Sequence, residues 1–202
     1  MAPSLLYIHG LNSSPASRKA RQLVSAATQA GLADRVQVPA LHHHPREAMA
    51  QLEAAIVTLG KPLLVGSSLG GYYATHLAHR HGLRAVLINP VVNPHRLFDG
   101  RLGTQRNLYT QDEWQLTLGH VQALAELEVP PPKAGERIRV WLQTGDEILS
   151  YRLAEAFYQG CAVEVRQGGD HSYQGFAARV PELLQLAGVD AARCAAVNIA
   201  AL

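Results

Sequence analysis

A chain of 202 residues with 48% hydrophobic and 17% charged residues can bury one sizeable core and is too apolar to be disordered. Its formal net charge of +2, with no long basic run, gives no electrostatic case for nucleic acid as a partner. The only two cysteines, Cys161 and Cys194, are far apart and read as reduced thiols rather than a disulfide scaffold.

The opening Met1 to Gly10 lacks a basic stretch, and its apolar run is too short for a secretory signal. No window approaches the ~20 apolar residues of a membrane-spanning helix. The expectation is a cytoplasmic enzyme or binding protein that engages no membrane.

Leu5 to His9 reads as a buried strand ending in His-Gly. Ser14-Pro15 then reads as a helix N-cap followed by Pro at the first helical position, with Ala20, Leu23, Val24 and Ala27 at helical spacing and Gly31 as the stop. Val36 to Val38 is a second short strand. Pro45 opens a helix whose Ala48, Leu52, Ala55, Ile56 and Leu59 share a face, closed by Gly60. Pro62 to Val65 is the third strand, with a helix from Gly70 to His81 after it. Arg84 to Ile88, Ile138 to Gln143 and Ala162 to Val165 are strands four to six. Helices are expected around Leu153 to Gln159 and from Phe176 to Leu186.

Continuous apolar strands alternating with helices imply right-handed crossovers and a parallel sheet covered on both faces, a three-layer α/β fold. Residues 94–135 are longer than a plain crossover needs. With Trp114, Leu116, Leu118, Val121, Leu124 and Leu127 they read as a helical, lid-like excursion over the strand ends, or as an extra core helix. No repeat or linker argues for a second domain within 1–202. The tail 189–202 reads as a final helix or a loose end.

In open parallel sheets, function gathers at the carboxyl ends of the strands. Strand one ends in His9-Gly10-Leu11, strand three in Gly66-Ser67-Ser68-Leu69-Gly70, and strand five in Gly145-Asp146; Gly168-Gly169-Asp170-His171 follows strand six. A serine, an acid and a histidine thus meet at one edge, in the order Ser68, Asp146, His171. Acyl transfer needs that set: the hydroxyl attacks only when a base takes its proton, and the imidazole serves as base when a carboxylate fixes its tautomer. The G-x-S-x-G spacing selects Ser68, because Gly66 and Gly70 bracket it, and leaves Ser67 as a strand-end support. The chain order Ser, Asp, His is that of the α/β-hydrolases rather than of chymotrypsin or subtilisin. The oxyanion donors expected are the backbone N–H groups of Leu69 and Leu11.

The blocks His9-Gly10-Leu11-Asn12-Ser13-Ser14-Pro15, Gly66 to Thr75, Asn89-Pro90, Gln143 to Glu147 and Gly168 to His171 resemble the small YqiA-type bacterial esterases of the α/β-hydrolase superfamily. The likeness spans the chain to about Leu186. It implies a minimal hydrolase with six mostly parallel strands in the order 2-1-3-4-5-6, acting on a small-molecule ester or acyl thioester without cofactor or metal. Glu147 is an alternative orienting acid; Asp146 is preferred because Asp-Glu-Ile-Leu-Ser resembles the superfamily's D-x-V-V-P pattern. An acyltransferase or amidase on the same residues, or a binding module of the same fold, are the alternative functions.

Asp170 reads as a loop-structuring residue. His42-His43-His44 and His76, His79 and His81 do not form a metal-ligand spacing and read as surface or loop histidines, the first group lying at the active-site edge. Tyr72, Tyr73 and Trp114 read as core or lid packing. GSSLGG is no phosphate loop, since no Lys-Ser or Lys-Thr follows it.

Overall fold

The computed structural model describes residues 2–98, 100–133 and 135–202. The chain begins β1 (Leu5–Ile8), α1 (Arg18–Gln29), β2 (Val36–Gln37), α2 (Pro45–Leu59), β3 (Leu63–Ser67), α3 (Leu69–His81) and β4 (Ala85–Ile88). It continues α4 (Pro94–Leu97), β5 (Gly103–Arg106), β6 (Glu113–Leu116), α5 (Leu118–Ala125), β7 (Ile138–Gln143), α6 (Tyr151–Phe157), β8 (Ala162–Arg166), α7 (Phe176–Ala187) and α8 (Ala191–Ala195).

Six strands form one sheet in the order β2-β1-β3-β4-β7-β8, and every pairing in it is parallel. Counting sheet strands alone, this is the expected order 2-1-3-4-5-6. Alternate residues of each strand feed opposite cores, as the two-residue period of a strand requires. Leu6, Ile8, Leu64, Leu87, Val140 and Leu142 pack with α2, α3 and α6. Leu5, Tyr7, Leu63, Val65, Val86, Ile88 and Trp141 pack with α1 and α7. Each large side chain so buried contributes about 1.5–3 kcal/mol, which sets both layers on the sheet.

The ends of elements depart from sequence expectation in specific ways. α1 starts at Arg18 with Ser17 at the N-cap, three residues after the Ser14-Pro15 expected to open it. The Ser14 hydroxyl instead accepts from the Ala16 N–H at 3.0 Å, closing a turn that precedes the helix. Ala20, Leu23 and Ala27 are buried, but Val24 sits at the solvent edge of the stripe.

The larger correction concerns 94–135, two positions of which, 99 and 134, lie outside the described residues. The helical excursion is in part an antiparallel hairpin, β5 with β6, placed between the short α4 and α5. Trp114 and Leu116 belong to β6 and alternate with exposed neighbours; Leu124 belongs to α5 and enters the α2–α3 core. The segment after 189 is ordered against α1: Val189, Cys194 and Val197 join the α1–α7 core. Asp190 caps α8 through the Arg193 N–H at 3.0 Å, and the Asn198 N–H donates to Gln29 at 2.8 Å. Cys161 and Cys194 are both free thiols. Among the described residues no helix is long and apolar enough to cross a membrane.

One buried cation joins β8, α7 and the sheet. The Arg179 guanidinium lies 3.9 Å from the centre of the Trp141 ring and donates to both Glu164 oxygens at 2.6 and 2.8 Å. Those bonds, with a further one from Arg166, hold the Glu164 carboxyl down to about 2 against the opposing effect of its burial. A carboxylate depressed on folding stabilises the protein above its unfolded value of 4.5 and loses that contribution as pH falls toward 2. The Glu164 side chain is 43% exposed, so screening keeps the effect small. The melting temperature is expected to fall on acidification through this window, and less steeply in Glu164→Gln; identical slopes in a pH series of melting curves would refute the assignment.

Candidate active site

The turn from β3 into α3 determines the site's geometry. Ser68 has φ 55° and ψ −120°, a conformation that costs a non-glycine residue of order 1–3 kcal/mol. Surrounding contacts hold it there. Its N–H donates to the Ile88 carbonyl at 3.1 Å, and its carbonyl accepts from Gly71 and Val91 at 2.9 and 3.2 Å. The flanking glycines are required by space. A Cβ on Gly66 would lie 2.7 Å from the Gly71 Cα, and one on Gly70 would collide with the carbonyls of Ile8 and His9. The turn is thereby pressed against the end of β1, and the Ser68 side chain stands beside Gly10 in the loop that follows.

Two other strand-end loops converge on that hydroxyl. The His171 Nε2 lies 3.1 Å from Ser68 Oγ, and its Nδ1 lies 2.9 and 3.0 Å from the two Asp146 oxygens. A carboxylate only accepts, so Nδ1 carries the proton and Nε2 presents its lone pair to the serine hydroxyl. The Asp146 side chain is 2% exposed, and its Oδ1 also accepts the N–H groups of Ile148 and Leu149 at 2.9 and 2.8 Å. Its neighbour Glu147 turns elsewhere, accepting the His171 backbone N–H at 2.9 Å. The two acids therefore divide the work: Asp146 meets the imidazole, Glu147 the backbone beneath it.

Two supporting side chains had no role assigned from sequence. Gln143, buried at the end of β7, reaches into the loop that carries His171. Its Oε1 accepts from the Asp170 and Gln174 N–H groups at 3.1 and 2.9 Å, and its Nε2 donates to the Gln174 carbonyl at 2.8 Å. Asn89, at the end of β4, donates to the carbonyls of Asp170 and His171 at 3.0 and 3.3 Å while its Oδ1 accepts from Gln143 N–H. The signal was a polar residue closing each of two apolar strands; the partners lie 27 to 82 residues away and could not be read from spacing. Lys19 adds an outer tie, donating to the Ser172 carbonyl at 2.8 Å. Burial pushes its ammonium down to about 8, opposed by Asp170 and Asp146.

The N–H groups of Leu11 and Leu69 flank Ser68, and neither donates to a protein acceptor among the described residues. The loop bearing Leu11 is held by His9, whose Nε2 accepts the Leu41 N–H at 3.2 Å and whose Nδ1–H donates to the Gly10 carbonyl at 2.9 Å. Burial lowers the His9 pKa, keeping that imidazole neutral. The β5–β6 hairpin docks on the same loop. Trp114 Nε1 donates to Asn12 Oδ1 at 2.8 Å, the Leu108 N–H to the Asn12 carbonyl at 2.9 Å, and Asn107 to the Ser13 carbonyl at 3.0 Å.

Gly10 and Leu11 separate two cavities. One, of about 440 Å³, contains Ser68 and His171 and runs toward α1. The other, of about 480 Å³, runs under the hairpin between Leu69, Tyr73, His43 and Trp114. Tyr73 and Trp114 thus line a cavity, whereas Tyr72 is structural, donating to the Leu124 carbonyl at 2.7 Å. Ser67 is buried beside Ser68, and Asp170 accepts from Gln174 at 3.0 Å in its own loop.

The histidine groups separate. His43 stacks on Trp114 at 4.8 Å and its Nδ1 meets His120 Nε2 at 3.2 Å, so it belongs to the cavity wall. His120 was missed from sequence; it closes a capping box with Thr117 at the start of α5, and burial and the neighbouring histidines lower its pKa to about 4. His76 donates to the Leu127 carbonyl and His81 meets Glu53 at 2.8 Å. No group of three or more His, Cys, Asp or Glu is placed to hold a metal ion among the described residues.

Replacing Gln143 by Leu leaves the Asp170 and Gln174 amides and one carbonyl without partners, at about 1–3 kcal/mol per group. Hydrogen exchange at 169–174 is expected to accelerate at least about tenfold while β3 and β4 amides change little; uniform acceleration would instead mean global destabilisation.

Comparison with known proteins agrees with this architecture. A relative from Shewanella sediminis (strain HAW-EB3), called UPF0227 protein, is 32% identical over 103 residues, 48% of this chain and 56% of its own. Another, from Shewanella sp. (strain ANA-3), is 28% identical over 123 residues, 60% of this chain and 63% of its own. The matched segments thus span just over half the length of these relatives. Est1E from Butyrivibrio proteoclasticus, solved with ferulic acid bound, superposes with TM-score 0.69 at 14% identity, covering 92% of this chain and 88% of that one. Alpha/beta hydrolase domain-containing protein 10 from mouse gives 0.69 at 15%, with the same coverage. These likenesses are likenesses of fold. Since residues 4–188 match the model of the Uncharacterised protein family (UPF0227), the chain belongs to that family, and it carries the α/β-hydrolase fold.

Proposed function

We propose that this protein is a serine hydrolase that cleaves carboxylic esters or acyl thioesters of small molecules through an acyl-enzyme. The observation that carries this reading is the continuous hydrogen-bond path from Ser68 Oγ through both nitrogens of His171 to Asp146. Fold likeness to the mouse alpha/beta hydrolase domain-containing protein 10 supports it.

Ser68 Oγ attacks the acyl carbon as its proton passes to His171 Nε2. The carbonyl oxygen becomes an oxyanion, and the unpaired N–H groups of Leu11 and Leu69 take up its charge. The bond to the leaving group then breaks, and that group departs with the proton held on Nε2. Water enters, gives a proton to His171 and attacks the acyl-enzyme, and Ser68 recovers its proton as the acid leaves. Asp146 keeps the imidazole in one tautomer and stabilises the imidazolium at each stage. Atoms and protons balance across both halves with these groups and water. Asp146 is the orienting acid and Glu147 the loop anchor, in keeping with their separate hydrogen bonds.

A fluorophosphonate probe is expected to add one equivalent to the wild-type chain, at Ser68, and Ser68→Ala to remove both labelling and p-nitrophenyl acetate hydrolysis. A loss of at least ~10³-fold with an unchanged melting temperature is expected for that variant. Folded wild type that takes up no label, or activity that survives in Ser68→Ala, would refute the assignment.

A further inference from the structure

We propose that residues 38–44, which join β2 to α2, form an acid-released wall of the cavity under the hairpin. The wall is held while the histidines around it are neutral and is freed when they take up protons. This device is a property of the hydrogen bonds at that wall and holds whether or not Ser68 is a nucleophile. The Leu41 N–H donates to His9 Nε2 at 3.2 Å, the His44 N–H to His42 Nδ1 at 3.0 Å and the Arg46 N–H to His44 Nδ1 at 3.3 Å. At the start of α5 the Thr117 N–H donates to His120 Nδ1 at 3.2 Å. That leaves the His120 proton on Nε2, which donates it to His43 Nδ1 at 3.2 Å. His9, His42, His43, His44 and His120 thus each accept at a lone pair that exists only while the ring is neutral. One further tie runs through Gln51, which accepts the His42 N–H at 2.8 Å and donates to the Ala40 carbonyl at 3.1 Å; it carries no charge.

A proton has no good place in this group. His9 and His120 are 5% and 6% exposed, so a charge on either loses most of its water. The His42 and His43 rings lie 4.1 Å apart and those of His44 and His120 4.6 Å apart, so a charge on one opposes a charge on the next. The other titratable groups at this wall are Tyr73 of α3, Asp112 and Glu113 of the hairpin, and Arg46 and Glu47 in the first turn of α2. Glu126 of α5 is taken by Arg46 at 2.7 Å. Among the described residues none of these carboxylates bonds an imidazole of the group, so no fixed negative charge offsets the protons.

The titration agrees with the geometry. Burial lowers the pKa of His9, His43 and His120, and the neighbouring histidines lower the latter two further, His120 to about 4. The released wall therefore binds protons that the held wall excludes. Its hold is complete above the ordinary imidazole value of 6.5 and is lost as pH falls toward the held value, about 4 for His120. One imidazole kept neutral in the held form multiplies the opening constant by up to about thirtyfold at pH 5. Release takes His43 off the Trp114 ring, on which it stacks at 4.8 Å, and opens the cavity from the side of Leu41 and His42.

The test is hydrogen exchange of the full chain at pH 7.5 and pH 5, read as protection factors so that the intrinsic pH dependence of exchange is removed. Protection at the Leu41, His44 and Arg46 amides is expected to fall at least about tenfold at the lower pH, while β3 and β4 amides change little. His120→Gln keeps a side chain that closes the capping box with Thr117 and removes a titrating ring, so the pH effect is expected to shrink at least about threefold. Equal protection at both pH values, an equal fall at β3 and β4, or an undiminished effect in folded His120→Gln would overturn the proposal. Should that variant fail to fold, nitrogen-15 spectra of the wild-type imidazoles decide. His9 and His120 are expected to stay neutral until the 41–46 amides lose protection; rings that protonate while those amides stay protected would equally overturn it.

Discussion

The structure depends on one close approach: the glycine backbone of the β3–α3 turn lies directly against the end of β1. A Cβ at Gly70 would strike the carbonyls of Ile8 and His9, and one at Gly66 would strike the turn itself. Because those atoms are absent, α3 starts one residue after Ser68, and Ser68 is forced to a positive φ. The same contact brings Gly10 and Leu11 alongside the serine. A larger residue at Gly70 would separate the hydroxyl from the Leu11 amide, so one packing constraint positions both the proposed nucleophile and one proposed oxyanion donor.

The remaining parts of the site sit on loops, which are ordinarily the more mobile parts of a fold. Here the strand ends reach up and hold them. Gln143 and Asn89 are fixed at their backbones by the parallel sheet and spend their amides on the loop around His171. They also bond each other, the Gln143 backbone N–H donating to Asn89 Oδ1, so β4 and β7 brace one loop jointly. Buried amides satisfied in this way favour one loop conformation over its neighbours, because any other leaves several polar groups unpaired in a low-dielectric setting. The imidazole is thus positioned by the sheet rather than by its own loop.

That division explains what could be read from the residues alone. Strand order, the two-faced core and the meeting of Ser68, Asp146 and His171 at one edge follow from local apolar runs and strand-end motifs, and all are present in the fold. The choice between Asp146 and Glu147 could not follow from spacing, since adjacent residues in a turn diverge and only their partners tell them apart. The hairpin was hidden because Glu113 to Leu116 offers four residues of alternation, too few to separate a strand from the helical spacing that surrounds it. The start of α1 was misplaced because Ser14 competes for a nearby N–H and forms a turn before the helix begins.

The hairpin changes how the two sides of the site relate. Asn12 holds a left-handed conformation, φ 54°, directly after Leu11, and its side chain joins Trp114 on one side and Gln105 on the other. The wall of the cavity under the hairpin and the loop bearing a proposed oxyanion donor are therefore fixed by one residue. Under the proposed mechanism, an acyl group that packs against Trp114 also bears on the placement of the Leu11 amide through Asn12. Binding energy gained from a remote part of the substrate then has a direct route to the atoms that stabilise the transition state, which is where it accelerates the chemistry rather than merely tightening binding. The cavity on the other side of Leu11 shares that tie: Leu108 and Tyr109 of the hairpin turn line it together with α1 and the His171 loop, and the Leu108 N–H donates to the Asn12 carbonyl.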